Sequence, residues 1–247
     1  MRSVLVTGGA KRLGAAIARA AAAAGWRVVI HYGASADAAH ALATELGGTT
    51  VQGDLSNPVD AADLFARARG AAGGVITALV NSASAFEFDR PEAIDAALAA
   101  RVHAINTVTP SALAAALAAQ DDIEEGAVVN LLDQKLANSN PDFFSYSLSK
   151  FALAGATEML AQALAPKVRV NAVAPGITLP SGDQSDVEFT RVASENLLRR
   201  PVGAGNVAEA VVYLLSARSV TGQTLYVDCG QRFVTSARDV MFEHRDG

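Results

Sequence analysis

The feature that most constrains this chain of 247 residues is an alternation running from one end to the other. Short runs rich in Val, Ile and Leu are separated by long alanine-rich stretches. The runs are SVLV (3–6), RVVIHY (27–32), TTVQGD (49–54), VITALVN (75–81), AVVNLL (127–132), VRVNAVAPG (168–176) and TLYVD (224–228). Strands buried on both faces read as continuous apolar runs, and parallel neighbours need a crossover long enough to hold a helix. The spacing therefore predicts an α/β fold, a Rossmann-type doubly wound parallel sheet of about seven strands with helices on both faces.

The intervening stretches have the expected punctuation. AAIARAAAAAG (15–25) reads as a helix closed by Gly25, and the next as one that Ser35 caps and Gly47 ends. Asn57-Pro58 reads as an N-cap followed by proline in the first turn. ARVHAINTVTPSALAAALAA (100–119) reads as one long helical region, and 206–216 as the last helix. No linker, low-complexity tract or internal repeat interrupts this order, so 1–247 is read as one domain. Within it, 1–120 would mainly bind a dinucleotide, 121–232 would carry catalysis and substrate, and 233–247 would be a tail. ITLPSGDQSDVEFT (177–190) is either a mobile lid or an ordinary surface loop.

Composition excludes several classes. With 51% apolar residues the chain can bury a large core, yet no apolar run reaches the roughly 18 residues of a membrane span. The opening MRSVLVTGGA does not read as a signal peptide. A net charge of −5 argues against nucleic acid as a partner. The four histidines (31, 40, 103, 244) lack paired ligand spacing, and no metal site is expected. A single cysteine, Cys229, forms no internal disulfide and fits a cytoplasmic location.

TGGAKRLG (7–14) follows the first strand and opens the first helix, the place where backbone N–H groups attract phosphate. Gly8 and Gly14 would allow the tight turn. The pattern departs from GxGxxG, with Arg12 where glycine is usual and Lys11 beside it. An NAD site would place a carboxylate after the second strand, but here the order is His31, Tyr32, Gly33, Ala34, Ser35, with no acid before Asp37. Lys11, Arg12 and Ser35 instead suit a 2′-phosphate, so NADPH/NADP is the expected cofactor. His31 either touches it or packs as a strand-end residue.

DQKLANSNPDFFSYSLSK (133–150) holds Asp133, Tyr146 and Lys150. Tyr146 and Lys150 are one helical turn apart and share a face. An ammonium beside a phenol is expected to lower the phenol's pKa, offering a proton beside a hydride source. Ser147-x-x-Lys150 mimics a β-lactamase motif, but the rest of that constellation is missing.

Over almost its whole length the sequence resembles the short-chain dehydrogenase/reductases. TGGAKRLG is similar to the family's cofactor turn, Asp54 to its adenine-contacting acid, and NSAS (81–84) to its Asn-Ala-Gly strand end. VNAVAPG (170–176) is similar to the segment near the nicotinamide. The resemblance implies cofactor contacts from Gly8, Lys11, Arg12, Leu13, His31, Tyr32, Ser35, Asp54, Leu55, Asn81, Ser82, Ala83, Tyr146, Lys150, Pro175, Gly176 and Ile177. It implies catalytic roles for Asn106, Tyr146 and Lys150, with Asn106 supporting Lys150 through a water, and commonly a homotetramer.

The family's usual serine, thirteen residues before the tyrosine, is Asp133 here. A carboxylate would repel the alkoxide formed in simple ketone reduction but suits a nitrogen-rich ring with a C=N bond. Asp133, Arg12 and the His31-Tyr32 pair resemble the pteridine reductase and dihydromonapterin reductase branch. Within that branch the substrate contacts fall on Arg12, Ser84, Phe86, Asp133 and Tyr146, with Phe86 stacking on the pterin. Phe86 read alone could also be core filler beside Phe88. An arginine frequent in that branch is Ala34 here. The implied activity is NADPH-dependent reduction of dihydromonapterin, dihydrobiopterin or dihydrofolate. A same-family reductase of another carbonyl or imine, and a non-catalytic NADP-binding sensor, are the alternatives. The alanine-rich face of 151–165 fits a subunit interface or the core. The tail, with Arg238, Met241 and Phe242, fits the active-site mouth, a neighbouring subunit or a frayed end.

Overall fold

The structure, a computed structural model, describes residues 2–180, 186–239 and 242. Seven parallel strands run β1 (Ser3–Thr7), β2 (Arg27–Tyr32), β3 (Thr49–Gln52), β4 (Ala78–Asn81), β5 (Gly126–Leu131), β6 (Val168–Pro175) and β7 (Thr224–Val227). Their order in the sheet is β3-β2-β1-β4-β5-β6-β7. The chain winds outward to β3, returns to the middle, and continues the other way. The reversal between β1 and β4 opens a crevice at the carboxyl ends of the strands. Register lines up Thr7, Asn81 and Asn130 side by side at that edge.

The helices are α1 (Arg12–Ala23), α2 (Ala36–Leu46), α3 (Ala61–Ala72), α4 (Ala96–His103), α5 (Thr109–Ala118), α6 (Phe144–Ala163), α7 (Asp186–Ala193) and α8 (Ala204–Ser216). Strand side chains alternate between faces. Val4, Val6, Val28 and Ile30 pack with Ile17, Ala18 and Leu214 of α1 and α8 on one side. Leu5, Val29, Leu79 and Val128 pack with Leu64, Leu113 and Leu117 of α3 and α5 on the other. Both faces of the sheet are thus covered, as continuous apolar strands require.

The differences from expectation are local. The third and fourth strands are shorter than their apolar runs. Ile76 instead exchanges hydrogen bonds with the Gln120 side chain, at 3.2 and 2.8 Å. Ser35 occupies the N-cap of α2 and Asn57 that of a 3₁₀ turn at Pro58–Asp60, but neither side chain makes the capping bond. The long helix expected over 100–119 is divided by a π-helical turn, Ala104–Val108. That turn rotates Asn106 inward, and such π-bulges recur at functional sites. Of the 177–190 segment, 181–185 lie outside the described residues, and 186–193 form α7 rather than loop.

Candidate active site

The first turn is a backbone-to-backbone contact. Gly8 has φ +60°, and a Cβ there would lie 2.9 Å from Ala83 Cα; one on Gly14 would lie 2.2 Å from Gly8 O. Thr7 Oγ1 accepts from the N–H groups of Ser82 and Ala83, at 3.0 and 3.1 Å, fastening this turn to the end of β4. Lys11 precedes α1, whose first turn has no acidic residue and no side-chain cap. The N–H groups at that helix start suit an anion. Arg12, in a left-handed conformation (φ +52°), donates to Pro180 O at 2.7 Å and so links the turn to the 177–180 segment.

His31 sits beneath the turn. It is 2% exposed, accepts from Gly8 N at Nδ1 (3.2 Å), and sits 3.2 Å from Gly53 O at Nε2. Burial pushes its pKa down to about 4, so the ring is neutral, with Nε2 the donor. It braces the turn from beneath. Asn81 is also turned away from the crevice: its amide donates to Asn130 Oδ1 (2.8 Å) and Pro110 O (3.3 Å). Leu55 is buried, with its carbonyl accepting from Thr109 (2.8 Å). These side chains shape the groove from within. Asp54 is exposed and accepts from Ser56 N and Oγ, which hold its pKa below the usual carboxylate range. Tyr32 packs edge-on against His40, and Ser35 is half-buried at the start of α2.

Asp133 follows β5 in extended backbone and caps a 3₁₀ turn, Gln134–Leu136, by accepting from Lys135 N at 2.9 Å. Its other oxygen accepts from the Tyr146 hydroxyl at 2.7 Å. Lys150, one turn along α6, donates to Leu131 O at 2.8 Å, with its Nζ 5.4 Å from the Tyr146 ring centre. The three expected residues therefore meet, but the electrostatics differ from expectation. Burial, then the Asp133 charge and hydrogen bond, raise the Tyr146 pKa well above 10. The lysine was expected to lower it, but the carboxylate is nearer the hydroxyl. Burial likewise raises Asp133, against the pull of Lys135 N, Tyr146 and two lysines. Burial lowers Lys150 to about 8. In this state Tyr146 is a neutral phenol, the form that can donate a proton.

Asn106 is fully engaged. Its amide donates to Ala85 O and Ser149 Oγ, both at 2.9 Å, and its Oδ1 accepts from Ala85 N (2.8 Å) and Ser84 Oγ (3.3 Å). It clips the 82–86 loop to α6 and reaches the neighbour of Lys150, not Lys150 itself. Phe86 is 43% exposed and stacks on Phe143 with ring centres 4.1 Å apart, edge-on to Tyr146 at 4.7 Å. It is not core filler: it forms a wall.

A cavity of about 330 Å³ joins these groups. Arg12, Leu13, Ser82, Pro175, Gly176 and Ile177 line one part, and Ser84, Phe86, Asp133, Tyr146 and Lys150 another. Sequence reasoning missed Gln231, whose Oε1 accepts from Ile177 N at 2.9 Å, and Asp89, which accepts from Ser145 N and Oγ at the start of α6. It also missed Gln134 and Lys135 as lining residues. The described part of the tail lies over this mouth.

The family model described as enoyl-(acyl carrier protein) reductase matches residues 8–232. The chain is a short-chain dehydrogenase/reductase. This short-chain dehydrogenase/reductase is 31% identical over 275 residues to pteridine reductase 1 of Leishmania tarentolae, covering 92% of this chain and 94% of that one. It is 27% identical over 236 residues to dihydromonapterin reductase of an Enterobacter species, covering 93% and 96%. Among solved structures it is similar to the FolM alternative dihydrofolate reductase 1 of Brucella canis, complexed with NADP. The TM-score there is 0.88, with 41% identity and coverage of 96% and 97%. No helix among the described residues is long and apolar enough to cross a membrane.

Proposed function

We propose that this enzyme reduces a dihydropterin to its tetrahydro form with NADPH. The observation that carries the reading is the Asp133 carboxylate set 2.7 Å from the Tyr146 hydroxyl, beside the exposed ring of Phe86. A flat, nitrogen-rich ring fits between an aromatic wall and a hydrogen-bond acceptor. The names of the similar proteins support the same substrate class, and one of them was crystallised with NADP.

The cofactor fits the residues present. Close backbone approach at Gly8 and Gly14 leaves an uncapped helix start for a pyrophosphate, with Lys11, Arg12 and Ser35 on hand for a 2′-phosphate. Tyr32, Asp54, Leu55, Asn81, Ser82 and Ala83 flank the adenosine side, some through backbone alone. Pro175, Gly176 and Ile177 flank the nicotinamide side. When bound, NADPH supplies a hydride. Residues 1–120 would serve mainly this purpose, 121–232 the chemistry.

Asp133 accepts N–H groups of the pterin and fixes the ring. Tyr146 donates the proton that the reduced nitrogen needs, and the hydrogen bond to Asp133 lets the pair pass that proton on. Lys150 offsets the charge left behind and holds the ribose. Asn106 and Ser84 set the loop that presents Phe86, and Arg12 closes the opposite side.

We further infer a homotetramer, supported by an exposed apolar strip on α6, where Leu148, Phe151 and Met159 are 52, 42 and 64% exposed. We also infer a cytoplasmic location, a reading that the lone cysteine supports. The test is NADPH oxidation with dihydromonapterin, dihydrobiopterin and dihydrofolate. Turnover lost in both Asp133→Ser and Tyr146→Phe supports the assignment. NADPH binding without turnover on any pterin refutes it.

A further inference from the structure

Beyond Tyr146 and Asp133, a cluster of charges ties the C-terminal segment to the cavity mouth. Asp142 is completely buried and accepts from Arg90 Nη1 (2.6 Å), Arg238 Nε (2.8 Å) and Asp239 N (2.8 Å). Lys135 Nζ, also buried, pairs with Asp239 at 2.8 Å and donates to Asp142 O at 3.0 Å. Asn138 Nδ2 holds Val234 O at 2.6 Å, and Phe242 packs on Phe88 and Phe143. A carboxylate out of water with three donors is costly to leave half-paired, so these contacts hold together or part together.

The clamped segment is a wall of the site. Val234, Thr235, Ser236, Arg238 and Asp239 line the same cavity as Tyr146 and Phe86. Gln134 also lines it, and its Oε1 has no hydrogen-bond partner among the described residues. An amide in that condition calls for a polar ligand. The cavity of about 330 Å³ is at the small end for a ligand site and must also admit the nicotinamide.

We propose that residues 234–239 form a clamped wall that selects the substituent on the pterin ring, admitting a short hydroxylated chain in preference to an aryl-glutamate. Asp142 is the positioning residue of this wall. The proposal rests on the pterin reading above and deepens it. The unpartnered Gln134 Oε1 and the Thr235 hydroxyl along the wall match a short polyol, and the clamp denies room to a bulkier group.

The test uses the full chain with Arg238→Ala, and with Arg238→Ala combined with Asn138→Ala. Arg238 is at the surface, 40% exposed along its side chain, so folding should survive. Hydrogen exchange of the 234–239 amides reports release of the wall, and NADPH affinity serves as a control. On release, the ratio of kcat/KM for dihydromonapterin to that for dihydrofolate should fall about tenfold, through KM rather than kcat. Faster exchange with an unchanged ratio overturns the proposal. So does unchanged exchange in the double variant, because the contacts would then not be the clamp. If the wild type turns over no dihydropterin, the proposed function fails. The wall is then judged on the exchange data and on a small and a bulky carbonyl substrate.

Discussion

Lys150 gives a prediction with opposite signs for stability and activity. It is 3% exposed, and burial takes its pKa from 10.5 to about 8. A lysine depressed in the folded state opposes folding wherever both states are protonated, which is below pH 8. The penalty fades as pH rises from 8 towards 10.5. At about 1.4 kcal/mol for each factor of ten in the proton equilibrium, it is about 3 kcal/mol at pH 7 and about 1 kcal/mol at pH 10. Lys150→Met removes the penalty and also loses the bond to Leu131 O, worth about 1 kcal/mol. The variant should therefore be more stable than wild type by about 2 kcal/mol at pH 7, and about equal to it at pH 10. Urea unfolding at fixed protein concentration reads this as a midpoint raised by about 1 M at the lower pH only. Pterin reduction should be lost at both. Unfolding midpoints that differ by the same amount at the two pH values would refute the reasoning, because no titrating lysine would then separate the proteins.

The remaining predictions concern neighbouring parts of the site. Tyr146→Phe keeps the ring packing against Phe86 and removes the donor, so kcat should fall between about a hundredfold and ten-thousandfold while NADPH affinity holds; stopped-flow and binding titrations separate the two. His31, depressed from 6.5 to about 4, contributes stability that is full above pH 6.5 and lost as pH falls towards 4. The loss is about 3 kcal/mol over that window, and His31→Gln should flatten the dependence of Tm on pH there. Gly14→Ala places a methyl group 2.2 Å from Gly8 O and should weaken NADPH binding at least about tenfold by isothermal titration. Gly70→Ala, in α3 with nothing within 4 Å, should instead leave binding alone and raise stability by about 0.5–1 kcal/mol.

The fold was legible because its signals are local. Each strand is a run of adjacent apolar residues, and each crossover a run of alanines, so neighbours in sequence suffice to read them. The meeting of Asp133, Tyr146 and Lys150 was legible because all three hang on the end of β5 and the start of α6. The π turn at Ala104–Val108 was not, since its residues look like any helix; the turn is fixed by what Asn106 grips across 21 and 43 residues of chain. The tail's place was hidden for the same reason: Asp142 and Arg238 are 96 residues apart, and nothing near either predicts the other. His31 was ambiguous because a strand-end residue can point either to the groove or beneath it. Its contacts with Gly8 and Gly53 decide that only in three dimensions.

The misjudged Tyr146 pKa has a broader consequence. A tyrosine made acidic by lysine suits a site that must shuttle a proton to a carbonyl oxygen, where the serine hydroxyl is a neutral partner. With Asp133 in that place, the phenol keeps its proton more firmly, and the carboxyl itself becomes a weaker acid than usual. An Asp133 carboxylate 2.7 Å from the phenol would repel a developing alkoxide, whereas it can accept N–H groups of a nitrogen-rich ring while Tyr146 supplies the proton that follows hydride. Two lysines temper the carboxylate: Lys150 within the catalytic group, and Lys135 through its own N–H and charge. Lys135 is also the partner of Asp239 in the tail. The residue that holds down the wall of the pocket thus also sets the field at Asp133, so loosening the tail should shift the pH dependence of turnover as well as the choice of substrate. Removing the Lys135 charge would raise the Asp133 pKa further. Lys135→Met should therefore move the acidic limb of the kcat/KM profile to higher pH, and an unmoved limb would separate the wall from the chemistry.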